Sequence, residues 1–134
     1  MTGAAELQRV LEDAAFVTTY GFRVEAAGDG ECTVAVPFRP SHERPGGIVS
    51  GPVFMAAADV AMWLAILSRL GPADRSVTSG MTTAFLSAAR REDFFCTARI
   101  VRLGHRAIYG VAECVAGDSR LLSHHTVTYT RPTA

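Results

Sequence analysis

The longest run of apolar positions in the chain extends from residue 53 to residue 70, preceded by Ser50-Gly51-Pro52 and closed by Gly71-Pro72. Ser50 is a helix N-cap residue type. Pro52 fits a first helical turn because its missing N–H would have had no partner there, and Gly71-Pro72 stops a helix. The run therefore predicts one helix, about 28 Å long at 1.5 Å per residue. Val53, Phe54, Met55, Met62, Trp63, Leu64, Ile66 and Leu67 surround its axis and leave no polar face. A helix that is apolar all round is buried or lies in a membrane. This one is at the short limit for spanning, and Asp59 at its centre costs about 2.5 to 3.5 kcal/mol on insertion scales. A buried core helix, with no membrane, is the reading that fits.

Elsewhere the pattern has shorter reach. Leu7, Val10, Leu11, Ala14 and Ala15 recur at spacings of three and four within residues 3–18, which predicts an amphipathic helix packed on the outside. Alternation over 22–27 and 31–38, about Ala-Gly-Asp-Gly, predicts a hairpin. Residues 39–49, with Pro40, Pro45, Gly46 and Gly47, read as a loop that feeds the apolar helix. Four strand-like runs follow, 76–86, 94–103, 107–116 and 120–130, joined by connections short enough for an antiparallel meander. The predicted fold is α+β: about six antiparallel strands wrapped around one long apolar helix, plus a short N-terminal helix, as a single domain over 1–134. One helix cannot cover itself and both edges of a curved sheet, so self-association is expected.

Composition narrows the functional classes. The chain has 134 residues, 49% hydrophobic, with a formal net charge of zero, so it can bury a core and carries no general attraction for nucleic acid or a membrane surface. A local cluster of arginines can still hold an anion. Cys32, Cys96 and Cys114 lack CxxC spacing and lie in strand-like runs, so buried, inert thiols are expected. Residues 1–15 have neither the basic start nor the apolar centre of a secretory signal, which predicts a cytoplasmic protein without disulfides. His124 and His125 point to opposite faces of the last strand, with no further ligands at metal spacing, so no metal is expected.

The chemistry concentrates at Asp59. A lone carboxylate on a buried helix costs several kcal/mol unless it is paired or neutralised. Either a neighbouring donor holds it as a structural group, or it sits in an apolar cleft as a base or nucleophile whose reactivity desolvation tunes. Glycines just before a helix, Gly47 and Gly51 among them, allow close approach of a ligand, and the free N–H groups of the helix start face developing negative charge.

These residues resemble a known family. Gly47-Ile48-Val49-Ser50-Gly51-Pro52, then Met55-Ala56-Ala57-Ala58-Asp59, Val77-Thr78 and Phe85-Leu86-Ser87-Ala88-Ala89, are similar in order and spacing to the hotdog-fold acyl-CoA thioesterases. The likeness is to the PaaI-like, phenylacetate-degradation branch. Here Ser50 stands where that branch usually has His, Pro52 where it has a second Gly, and Arg44 where many members have Asn. The resemblance implies a thioester carbonyl polarised by the Gly51 N–H and attacked with help from Asp59, as general base or as nucleophile. Thr78 would hold the water or the carboxylate, unless it merely suits a strand. Ser50 would contact the thioester region or cap the helix, the cap being the favoured role. His42 and Arg44 would border the acyl pocket or be solvated, and Met55 and Trp63 would line the cleft or the core. Arg90-Arg91 and Gly104-His105-Arg106 would meet the nucleotide end of coenzyme A, which is part of the substrate, so no separate cofactor is implied.

Gly51 and Asp59 are eight residues apart, about 12 Å along one helix, yet both groups must come within about 3 Å of one reacting centre. One helix cannot supply both. The smallest competent unit is then a homodimer with two equal sites, and a dimer of dimers is the further expectation. Two other readings stay open. A hydratase or dehydratase of the same fold would want a His paired with the acid, which position 50 lacks, and a non-catalytic acyl-CoA or fatty-acid binding module would use Asp59 structurally.

Overall fold

In the computed structural model, which describes residues 2–132, the apolar run is one helix, α2 (Gly51–Leu70), with Pro52 in its first turn. Gly71 ends it at φ 97°, a conformation that favours glycine, and its N–H donates to the Leu67 carbonyl at 2.8 Å. Although α2 is long and apolar enough by composition to cross a membrane, the sheet covers it and its residues from Val53 through Ser68 are mostly buried. The favoured role of Ser50 needs correction. Its side chain makes no capping bond; instead its N–H donates to the His42 carbonyl at 2.8 Å and its carbonyl accepts from Val53 N–H at 3.0 Å. The helix start is anchored by backbone, which leaves the Ser50 hydroxyl uncommitted.

The strands are β1 (Arg23–Gly28), β2 (Glu31–Val36), β3 (Glu43–Arg44), β4 (Ile48–Val49), β5 (Val77–Phe85), β6 (Phe94–Leu103), β7 (Ala107–Ala116) and β8 (Leu121–Thr130). Six of them form one antiparallel sheet in the order β1-β2-β6-β7-β8-β5, and β3 and β4 pair as a small ribbon within the loop before α2. The predicted hairpin is the β1–β2 pair, and β2 stops at Val36 because Pro37 has no N–H to give the ladder. The meander holds only for β6, β7 and β8. The first strand after α2 pairs instead with β8, at the far edge, because α2 carries the chain across the sheet before β5 begins.

α1 (Ala4–Asp13) is shorter than the predicted span; Ala14 turns extended and a 3-10 turn, Ala15–Val17, follows. Leu7 and Leu11 bury against the rest of the core, and α1 packs chiefly on β1. α2 lies mainly against β2 and β6 and approaches β7 closely at Gly110. A Cβ there would run into the Met62 methyl and stand 2.7 Å from the Arg99 carbonyl oxygen, which as backbone cannot yield. Gly110→Ala is therefore expected to cost about 2–3 kcal/mol of stability, the scale of core overpacking, read as a lower urea midpoint; an unchanged midpoint would contradict this packing.

Candidate active site

Asp59 faces outward from α2 into a cleft of about 500 Å³ lined by Ala14, Phe16, Val17, Val60, Trp63, Ser76, Val77, Thr78 and Tyr129. The carboxylate is half-buried, and two hydroxyls hold it. Thr78 Oγ1 donates to Asp59 Oδ1 at 2.7 Å, and Tyr129 OH donates to the same oxygen at 2.7 Å while lying 3.0 Å from the Asp59 carbonyl oxygen. No donor among the described residues meets Oδ2. Ser76, whose buried hydroxyl has no partner among the described residues, also lines the cleft. The walls are otherwise apolar, the composition expected of a pocket for a small organic group with a few polar atoms fixing its orientation.

A bulge makes this cluster possible. Thr78 stands directly opposite Tyr129 in the β5–β8 ladder, and Gly80 opposite Thr128, so Ser79 is one residue too many. Further along β5, Met81 pairs with buried Val127 and Thr83 with buried His125, so odd-numbered residues face α2 there. The extra residue reverses that parity and turns Thr78 toward Asp59, the kind of re-aiming for which bulges are used beside functional sites.

Gly51 opens on a separate cleft, also about 500 Å³, lined by Arg44, Ile48, Val49, Phe54, Phe85, Leu86, Ser87 and Ala88. Its N–H has no acceptor among the described residues, as expected for the first turn of a helix. The Phe85 ring lies against it, 3.2 Å from where a Cβ would be. Within one protomer the Gly51 amide and the Asp59 carboxylate thus belong to different clefts at opposite ends of β5.

Comparison with known proteins gives this arrangement its relatives. A family model described as the thioesterase superfamily matches residues 46–132, from the loop before α2 through β8. The chain belongs to the thioesterase superfamily. Its six-stranded antiparallel sheet around one long helix is the hotdog fold of that superfamily. The conserved protein PA5202 of Pseudomonas aeruginosa is 26% identical, with a TM-score of 0.86 over 96% of this chain and 99% of that one. Ta0293 of Thermoplasma acidophilum, provisionally named an esterase, is 23% identical over 96% of this chain and 97% of its own length. A hypothetical thioesterase of Streptococcus pneumoniae TIGR4, solved with coenzyme A, shares the fold at 16% identity, with a TM-score of 0.81 over 94% and 96% of the two chains.

The cation-bearing loops of this superfamily member fall at both ends of the molecule. Arg44 lines the Gly51 cleft, and Arg90-Arg91 follow Ala89, whose carbonyl accepts from Val49 N–H just before α2. Arg91 Nε is 2.8 Å from Glu43 Oε2, and Gly47 lies beside that ion pair. Gly104-His105-Arg106 form the exposed β6–β7 turn at the opposite, Asp59 end, where β8 finishes. There Arg131, which the sequence did not single out, pins the turn: its Nη1 donates to Gly104 O at 3.0 Å and its N–H to Arg106 O at 2.8 Å. Trp63 lines the Asp59 cleft, whereas Met55 is exposed on α2 and lines neither of the two clefts.

The remaining titratable groups stay out of reach. His42 is buried beside Tyr20, with neither ring nitrogen partnered among the described residues; burial, then Arg39, lowers its pKa. His124 pairs with Glu113 at 2.8 Å on the outer sheet face, while fully buried His125 is bonded to Thr83 and Ser123, both at 2.8 Å. Cys114 Sγ lies 3.9 Å from His125 Nε2. The neighbouring Cys96 thiol lowers the Cys114 pKa, against the opposing effect of burial and with help from His125 and Ser123, but Cys114 is wholly buried and lines neither cleft. All three thiols are buried, and burial pushes Cys32 up to about 12.

Proposed function

We propose that this protein is an acyl-CoA thioesterase of the PaaI-like branch, hydrolysing the thioester of an acyl- or aryl-CoA to the free acid and CoA at two equal sites of a homodimer. The observation that carries the reading is the Asp59 carboxylate: fixed through one oxygen, open at the other, on the wall of an apolar cleft. The coenzyme A bound by the Streptococcus relative supports a CoA thioester as substrate.

The dimer is supported by β5. It is an edge strand that exposes an apolar side chain at each end, Val77 62% and Phe85 55%, and an uncovered edge pairs with another chain unless it is blocked. Antiparallel pairing of β5 with its copy, centred on Met81, sets the Thr78 end of one protomer beside the Phe85 end of the other. Thr78 marks Asp59 and Phe85 marks Gly51. The pairing thus joins the acid of one protomer to the helix-start amide of its partner, and the Arg106 loop of the first to the Arg90 region of the second.

In the reaction, the Gly51 N–H takes up negative charge on the carbonyl oxygen. Asp59 either removes a proton from the attacking water or attacks the carbonyl itself, giving an anhydride that water opens. Both routes break the C–S bond and leave the acid and the CoA thiol. The test is release of free thiol from a panel of acyl- and aryl-CoAs, followed with a thiol reagent, which buried cysteines do not obscure. Turnover of at least one member is expected. Binding across the panel without release from any member would sink the enzyme reading in favour of a binding module.

A further inference from the structure

Tyr129 was not among the site residues that the sequence suggested, yet it makes the closest contact with Asp59 from the body of the sheet. Its OH and the Thr78 hydroxyl both donate to Oδ1 at 2.7 Å, which commits that oxygen's two lone pairs. Oδ2 is the oxygen left for water or the thioester carbon. The two donors differ in how firmly they are held. Thr78 sits exposed on edge strand β5, whereas Tyr129 is 3% exposed on β8, flanked by β7 and β5. Burial, and after it the negative charge of Asp59, holds the Tyr129 hydroxyl far above the usual phenol range, so it remains a donor at any working pH.

We propose that Tyr129 is a positioning residue: its hydroxyl, with Thr78, locks Asp59 Oδ1 and so assigns the reaction to Oδ2. The proposal rests on the thioesterase reading. A carboxylate that swings about its Cβ presents the wrong oxygen or the wrong direction, and a misplacement of about 1 Å costs on the order of 10²-fold in rate. The loss falls on the chemical step and largely spares binding, because the Tyr129 ring still lines the cleft in the phenylalanine variant and only the hydroxyl bonded to Asp59 is removed.

The experiment measures kcat, KM and Tm of wild type, Asp59→Asn, Tyr129→Phe, Thr78→Val and Thr78→Ser on the best member of the acyl-CoA panel. Tyr129→Phe keeps the ring and is expected to lower kcat by about 10²-fold, with KM within about twofold of wild type and the melting transition retained. Thr78→Ser keeps a donor and is expected to recover most of what Thr78→Val loses. Wild-type kcat in Tyr129→Phe, or a raised KM with kcat intact, overturns the proposal. Should Tyr129→Phe not fold, the Thr78 pair decides: equal kcat in Thr78→Val and Thr78→Ser overturns the lock on Oδ1, and a loss confined to Thr78→Val supports it. Failure of the thioesterase reading looks different, since wild type would then release no thiol, or Asp59→Asn would release it as fast as wild type.

Discussion

Asp59→Asn is expected to lower kcat for thiol release by about 10³-fold, within the span attributed to a positioned base, while the protein melts within a few degrees of wild type. The substitution is nearly isosteric, and the asparagine oxygen still accepts from Thr78 and Tyr129 as Oδ1 does now. What changes is Oδ2, which becomes an amide nitrogen without basicity or nucleophilicity. A purely structural Asp59 predicts the reverse: a lower Tm from a half-buried group refitted among its donors, with turnover nearly intact. Measuring kcat and Tm on the same preparations separates the two, and activity within threefold of wild type would remove Asp59 from the chemistry.

Much of this arrangement could be read from residue order because its main signals are local. The apolar run and its Gly-Pro stop needed only helix sterics, and α2 (Gly51–Leu70) carries Asp59 outward as the lone acid of an apolar helix. The expected separation of Gly51 from Asp59 follows from helix rise alone, and the two groups indeed line different clefts. The parts that escaped are those set by strand pairing. Nothing local says that β5 crosses to β8, so nothing said that Tyr129 faces Thr78. Ser79 looks like any strand residue, yet as the extra residue of a bulge it decides which neighbour points at the acid. The Ser50 cap failed for a related reason. The loop brought the His42 carbonyl to Ser50 N–H, and the backbone anchored a helix start for which propensity would have used the side chain.

Mixing two inactive variants is expected to restore activity, the second large effect. Gly51→Pro removes the N–H that would meet the carbonyl oxygen, and loss of one such donor costs about 10²–10³ in kcat. Proline is tolerated at a first helical position, and Ser50 already has the extended backbone (φ −68°, ψ 140°) that a following proline requires. The Phe85 ring, 3.2 Å from the would-be Cβ, has to shift by a few tenths of an ångström to admit it. Gly51→Ala, which adds the Cβ but keeps the N–H, isolates that steric part. Homodimers of Gly51→Pro lack the amide at both sites, and homodimers of Asp59→Asn lack the acid at both. A hybrid dimer gathers both losses into one site and leaves the other intact. After unfolding and refolding an equal mixture, about half the dimers are hybrids with one good site of two, so about a quarter of wild-type activity returns. If each site were built within a single protomer, every chain in the mixture would carry one lesion and no activity would return. That outcome, with dimers confirmed by light scattering, would overturn the shared site.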